Sequence, residues 1–154
     1  MYFFILASAF SSVDTPSLEQ TAFNYFASEV VAKRYPQAEH FYLTGQSEAE
    51  ANISGPFWKC FPGTDFPAFW RSQHANGVAI VLIAYREFSL FKKSAVSKKG
   101  RLQVRIYRAV VGSDGASYTY IKVYKIHHFV DHYLIKIMGA NNEIVDVCQE
   151  NEII

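Results

Sequence analysis

Residues 101–129, RLQVRIYRAVVGSDGASYTYIKVYKIHHF, hold two runs of alternating side chains around the tetrapeptide GSDG. In the first run Leu102, Val104 and Ile106 share one face, while Arg101, Gln103, Arg105 and Tyr107 share the other, the period of two that a half-buried strand requires. GSDG supplies the Gly and Asp that a tight turn uses, so the second run returns as an antiparallel partner. Matching the hydrophobic faces sets the register. Val111 opposite Ala116 puts Ile106 opposite Ile121 and Val104 opposite Val123. Ile121, Val123, Lys125, His127 and Phe129 then point to the core, and Tyr118, Tyr120, Lys122, Tyr124, Ile126 and His128 share the outer face with Gln103, Arg105 and Tyr107.

The chain beyond continues as a meander. In KIHHFVDHYLIKIM, residues 125–138, a two-residue turn at Val130 and Asp131 would set Lys136 directly opposite Lys125, which is repulsive. A three-residue loop ending at His132 instead brings Tyr133, Ile135 and Ile137 to the core and leaves Asp131 and His132 in the turn. GANNE and IVDVC then supply a further turn and strand. Upstream, the apolar run VAIVLIAYREFSLF, residues 78–91, reads as a central strand covered on both faces, KKSAVSKKG as a basic loop tip, and residues 40–44 as a short strand. Thr15 and Pro16 open an amphipathic helix whose stripe is Leu18, Ala22, Phe23, Phe26, Ala27 and Val30, and Pro36 ends it. The expected fold is α+β, a long N-terminal helix packed on a curved antiparallel sheet of about five to six strands.

With 154 residues, half of them apolar, the chain suits one domain with a real core. Residues 1–13 read as a signal-peptide remnant or N-terminal extension, and 14–154 as a single α+β domain. The opening MYFFILASAF resembles the apolar segment of a secretory signal, although no Lys or Arg precedes it; an atypical signal, a start further upstream, or a simple N-terminal strand or helix start remain alternatives. The expected location is secreted or periplasmic, otherwise cytoplasmic. Fifteen Lys and Arg against 14 Asp and Glu leave a formal charge of +1, which provides no field to draw in nucleic acid, and no integral membrane segment is expected. Cys60 and Cys148 lack zinc-motif or redox-motif spacing; they form one disulfide if the chain is exported and stay free thiols if it is cytosolic.

The histidine cluster invites a metal or proton-transfer reading, yet His127, His128 and His132 point in three directions, so no metal site is expected. His127 alone faces the core, as a satisfied core histidine or as a pocket acid or base. The outer strip with Arg105, Tyr107, Tyr120, Lys122 and Tyr124 can clamp anions and stack rings. Trp58, Phe66 and Trp70 lie in a Gly- and Pro-interleaved aromatic segment, residues 55–77, which must fold back onto the domain rather than expose so many rings. Asn52, Ile53 and Ser54 match a glycosylation sequon; nucleophile elbows, phosphate loops and dinucleotide glycines do not occur.

A helix, a short strand, an aromatic crossover and a meander over residues 16–148 resemble, in element order, the NTF2-like and cystatin-like α+β group. The resemblance implies a cavity between helix and sheet, or a protein-binding surface. The function expected is a non-catalytic exported domain that binds a small molecule or a protein, with no cofactor, the aromatic segment closing a pocket, and a homodimer through the sheet as a further contact. The alternative is a small cavity enzyme of isomerase or dehydratase type, with His127 as acid or base and Tyr133 or Tyr42 assisting.

Overall fold

The computed structural model describes residues 15–48, 60–64, 80–94, 101–125 and 129–153. His127, His128, Trp58, Phe66, Trp70 and the sequon lie outside the described residues. Helix α1 (Leu18–Tyr25) is capped by Ser17, whose hydroxyl accepts the Gln20 N–H at 3.1 Å, so the cap falls two residues after Thr15. A π-turn (Phe26–Val30) follows, and α2 (Val31–Arg34) closes the helical stretch before Pro36. The π-turn widens the spacing by one residue, which lets Phe23, Phe26, Val30 and Val31 all reach the core.

Seven strands form one open mixed sheet: β1 (Phe41–Leu43), β2 (Phe91–Lys93), β3 (Leu102–Ile106), β4 (Val110–Val111), β5 (Ser117–Tyr124), β6 (Phe129–Met138) and β7 (Glu143–Ile153). Their order is β2-β1-β3-β5-β6-β7, with β4 beside the start of β5. The expectation of a wholly antiparallel sheet is corrected here, because β1 runs parallel to both β2 and β3. No helix among the described residues is long and apolar enough to cross a membrane.

The hairpin register holds where it was fixed by the apolar face: Val104 pairs Val123 and Ile106 pairs Ile121. Past Ile106 the edge slips by one, since Val110 pairs Tyr118 and Val111 pairs Ser117. Glu19 of α1 causes the break. Its buried carboxylate accepts the Ala109 N–H at 2.9 Å and pairs with Arg108 at the same distance, taking a backbone donor away from the ladder. The central strand expected over residues 78–91 is also corrected: among its described residues only Phe91 enters a strand, at the β2 edge, and Leu82 is 78% exposed. Scattered partners satisfy that backbone instead: Gln20 bonds both the Ala84 N–H (2.7 Å) and its carbonyl (3.0 Å), Ser47 Oγ accepts from Val81 (2.9 Å), and a single antiparallel bridge joins Gln46 to Leu82.

The turn expected at residues 130–132 is corrected: the Lys125 N–H donates to the Phe129 carbonyl at 2.8 Å, so the chain reverses between these two residues and β6 runs unbroken through 130–132. Tyr124 therefore pairs Val130, Ile121 pairs Tyr133, and Asp131 and His132 stand inside β6 rather than in a loop. The displacement is an even number of residues, so the alternation survives, and Tyr133, Ile135 and Ile137 face the core as expected.

The sheet is consequently covered on both sides. On the inner side the helix packs Phe23 and Phe26 edge-on against Phe91, Phe41 and Tyr133, with centroids 4.9–6.5 Å apart. On the outer side Tyr107, Tyr118, Tyr120 and Lys122 are all buried. Part of the cover is residue 61 of the aromatic segment, Phe61 meeting Tyr118 at 5.1 Å, held in place by the Cys60–Cys148 disulfide.

Candidate ligand-binding site

Alternation along β6 sends two polar groups to opposite sides of the sheet. Asp131 and Tyr133 go inward, His132 outward. On the inner side Tyr35, from the end of the helix, donates to Asp131 Oδ2 at 2.5 Å and lies 2.8 Å from the Tyr133 hydroxyl, while Lys125 reaches Asp131 Oδ1 at 2.6 Å. Since the Tyr35 proton goes to the carboxylate, Tyr133 donates to Tyr35. Burial pushes the Tyr133 phenol up to about 12, and burial together with the Asp131 bond raises Tyr35 further. Both hold their protons near neutrality. Tyr133 also lines a groove of about 200 Å³ with Tyr25, Val30, Arg34 and Gln149, beside the π-turn.

On the outer side the strip foreseen from the sequence is one connected array. Gln103 pairs Tyr124, Arg105 pairs Lys122, and Lys122 in turn pairs His132, which pairs Glu150. Tyr107 stacks on Tyr120 at 4.9 Å and Tyr120 on His132 at 5.9 Å. Tyr120 Oη and His132 Nδ1 are 2.5 Å apart, and His132 Nε2 stands 3.0 Å from Glu152 Oε2. Burial raises the Tyr120 and Tyr107 phenols, so the phenol is the donor to Nδ1 and the imidazole carries its proton on Nε2. Tyr120, His132 and Glu152 could form a proton relay, but Tyr120 and His132 are sealed, at 1% and 0% exposure, and leave no space for a reacting atom.

His132 itself is held below the usual imidazole range, first by burial and then by the Lys122 ammonium facing it, against the opposite pull of Glu152 and Asp131. The sign of its pH effect follows. Above the unfolded value of about 6.5 neither state is protonated, and below it the unfolded chain takes up a proton that the folded one refuses, so stability falls with acidification. Urea unfolding between pH 7 and pH 5 should therefore show a declining stability, contributed by this residue at up to about 1.4 kcal/mol per pH unit. His132→Gln should flatten that slope; an unchanged slope would mean that another group sets it.

The array opens at one end. Lys122 is only 8% exposed, yet no carboxylate among the described residues lies within ion-pair distance of its ammonium, which sits 5.2 Å above the Tyr124 ring. Arg105 covers the same ring at 5.0 Å and pairs with Glu48 at 3.4 Å. Burial raises the Glu48 carboxyl, with Arg105 and Lys122 opposing it. Two cations thus face one carboxylate. Two strand spacings away, roughly 10 Å, Tyr42 pairs Gln103 and lines a groove of about 550 Å³ with Glu39, His40, Arg101 and Leu102. Arg101 sits 4.9 Å above the Tyr42 ring.

Register and stacking place Arg105, Tyr107, Tyr120, Lys122 and Tyr124 together on the outer face. Sequence reasoning missed His132, Glu152, Asp131 and Tyr35, whose roles depend on where the hairpin turns. The fold and this array define an α+β protein with a mixed sheet and a cationic, aromatic array on its outer side. No protein-family model, no curated protein and no solved structure matches the chain.

Proposed function

We propose that the protein is an exported, non-catalytic domain that binds a small anionic molecule at this array, the acid group on Lys122 and Arg105 and a flat portion over Tyr124 and Tyr42. The observation that carries the proposal is Lys122: a buried lysine, 8% exposed, whose described surroundings offer the Tyr124 ring and a carboxylate, Glu48, that already pairs with Arg105. Desolvating a cation without an anion is costly, and a ligand acid would offset that cost. The 550 Å³ groove lined by Tyr42 and Arg101, two strands across the same face, falls within the size range of small-molecule pockets. The disulfide favours an oxidising compartment, which supports export, and it anchors Cys60 and Phe61 on the same face. The resemblance of element order to the NTF2-like and cystatin-like group belongs to the same proposal.

The cavity-enzyme alternative draws on Tyr133 and its groove. Its described polar groups offer no base, since Tyr35 and Tyr133 retain their protons and Asp131 is engaged by Lys125 and Tyr35, and His127, the acid or base of that reading, lies outside the described residues.

The test is a thermal-shift screen of aromatic and aliphatic carboxylates and sugar phosphates, with calorimetry on whatever stabilises the fold. Lys122→Met should weaken the binding of such an anion at least tenfold while raising the stability of the free protein by about 1 kcal/mol or more, because the stranded charge is gone. Arg105→Gln should weaken binding without that gain. Undiminished affinity in Lys122→Met would overturn the assignment.

A further inference from the structure

The disulfide has a third neighbour. Cys148 and Glu150 are two residues apart on β7 and so share its outer face, and Cys60 arrives from the aromatic segment to meet them. One ligand atom from each, two sulfurs and a carboxylate oxygen, all lie within 4.8 Å of one another. We propose that, once the disulfide is reduced, Cys60, Cys148 and Glu150 bind one thiophilic divalent cation such as Zn²⁺. This rests on their geometry alone and stands apart from the anion site.

The distances suit one ion. Zinc takes thiolate sulfur at about 2.3 Å and carboxylate oxygen at about 2.0–2.2 Å. Donors already within 4.8 Å reach those lengths by side-chain rotation, with the Cys60 and Cys148 backbones 5.7 Å apart at Cα. His132 is the cross-strand partner of Glu150, but Tyr120 and Glu152 lie against its two nitrogens, so among the described residues the fourth position is left to solvent. Three protein ligands and a water make an open zinc site.

The chemistry balances as follows. A dithiol reductant attacks one sulfur, the mixed disulfide resolves, and the reductant leaves as its cyclic disulfide; the two cysteine sulfurs gain two electrons and two protons. The cation then binds both as thiolates and releases those two protons. The same two sulfurs thus hold residue 60 on the outer face in either redox state, directly when oxidised and through the ion when reduced.

The experiment uses Co²⁺ as the probe. The full chain is reduced anaerobically, freed of reductant, shown by thiol titration to hold two thiols, and titrated while the thiolate-to-cobalt absorption band is followed. One equivalent should bind to the reduced protein and none to the oxidised protein. Glu150→Gln should bind at least tenfold more weakly, and Cys60→Ser should lose the band. Oxidised Glu150→Gln should unfold at the same urea concentration as the oxidised parent, which shows that the substitution leaves the fold intact. If the reduced chain loses structure, recovery of its circular dichroism on adding Co²⁺ supports the site. Absence of both band and recovery overturns it, as does equal affinity in Glu150→Gln.

Discussion

Asp131→Ala should lower the free energy of unfolding by about 3 kcal/mol, the lower end of what breaking a buried ion pair costs. The carboxylate is 4% exposed and serves two partners at once, Tyr35 at 2.5 Å and Lys125 at 2.6 Å. Its removal strands a phenol that the Tyr133 hydroxyl, 2.8 Å away, satisfies only in part. The Lys125 side chain is about a third exposed and recovers water, which keeps the loss from reaching the upper end. Asp131→Asn keeps an acceptor for Tyr35 and loses only the charge, so about half the effect remains. The cycle with Tyr35→Phe makes the network visible. Tyr35→Phe should cost about 1 kcal/mol in the parent and much less in Asp131→Ala, a coupling that independent sites would not show. Urea unfolding of the four proteins measures it. Full additivity would mean that Tyr35 and Asp131 do not act on one another in solution.

That residue also marks the limit of what the sequence discloses. Inward and outward sides were readable along the hairpin because side chains alternate with a period of two, and any even displacement of the turn leaves that pattern intact. For the same reason the pattern could not place the turn. Nothing in the alternation distinguishes a bend at residues 130–132 from one between Lys125 and Phe129, and only the second lets all eight residues of β5 find partners on β6. Asp131 and His132 changed role with it, from loop residues to the two best-connected polar groups of the sheet. One signal was present: an aspartate flanked by Val130 and by the aromatic pair His132 and Tyr133 keeps strand periodicity straight through the supposed loop.

Elsewhere tertiary contacts overrode local preference. The run VLIA, residues 81–84, has every intrinsic reason to be a strand, yet the Gln20 side chain and the Gly45–Ser47 stretch take up its backbone groups outside the sheet, leaving it a single bridge. Glu19, read from the sequence as lying off the apolar stripe of its helix, is buried and interrupts the β3 edge at Ala109. Of the outer array, composition revealed the membership, since Arg, Lys and Tyr alternate on one face. Its burial was not readable, because the cover comes from a segment far away in the chain that the disulfide ties down.

Replacing both cysteines, Cys60→Ser with Cys148→Ser, should therefore have the largest effect of any change in the molecule, about 4–5 kcal/mol of stability in the chain-entropy account of a long closed loop. The two residues are 88 apart, so the cross-link removes a wide range of unfolded conformations. Little in the described part of the segment would compensate: Phe61 against Tyr118, with the Thr64 hydroxyl 3.3 Å from the Tyr118 phenol, is a small docking surface. The loss should appear in urea unfolding measured in the presence of a chelator, and reduction of the parent protein under the same conditions should reproduce it. Titration of the denatured, unreduced parent should find no free thiol. The function proposed above makes a second demand on the same variant. If the segment covers the array beside Tyr124 and Lys122, untying it should weaken binding of the anion even at temperatures where the inner core, built on Phe23, Phe26 and Tyr133, remains folded. A variant that lost about 4 kcal/mol yet bound the anion as tightly as the parent would place the ligand outside the cover of that segment, and the binding site would then have to be formed by the sheet and β1 alone.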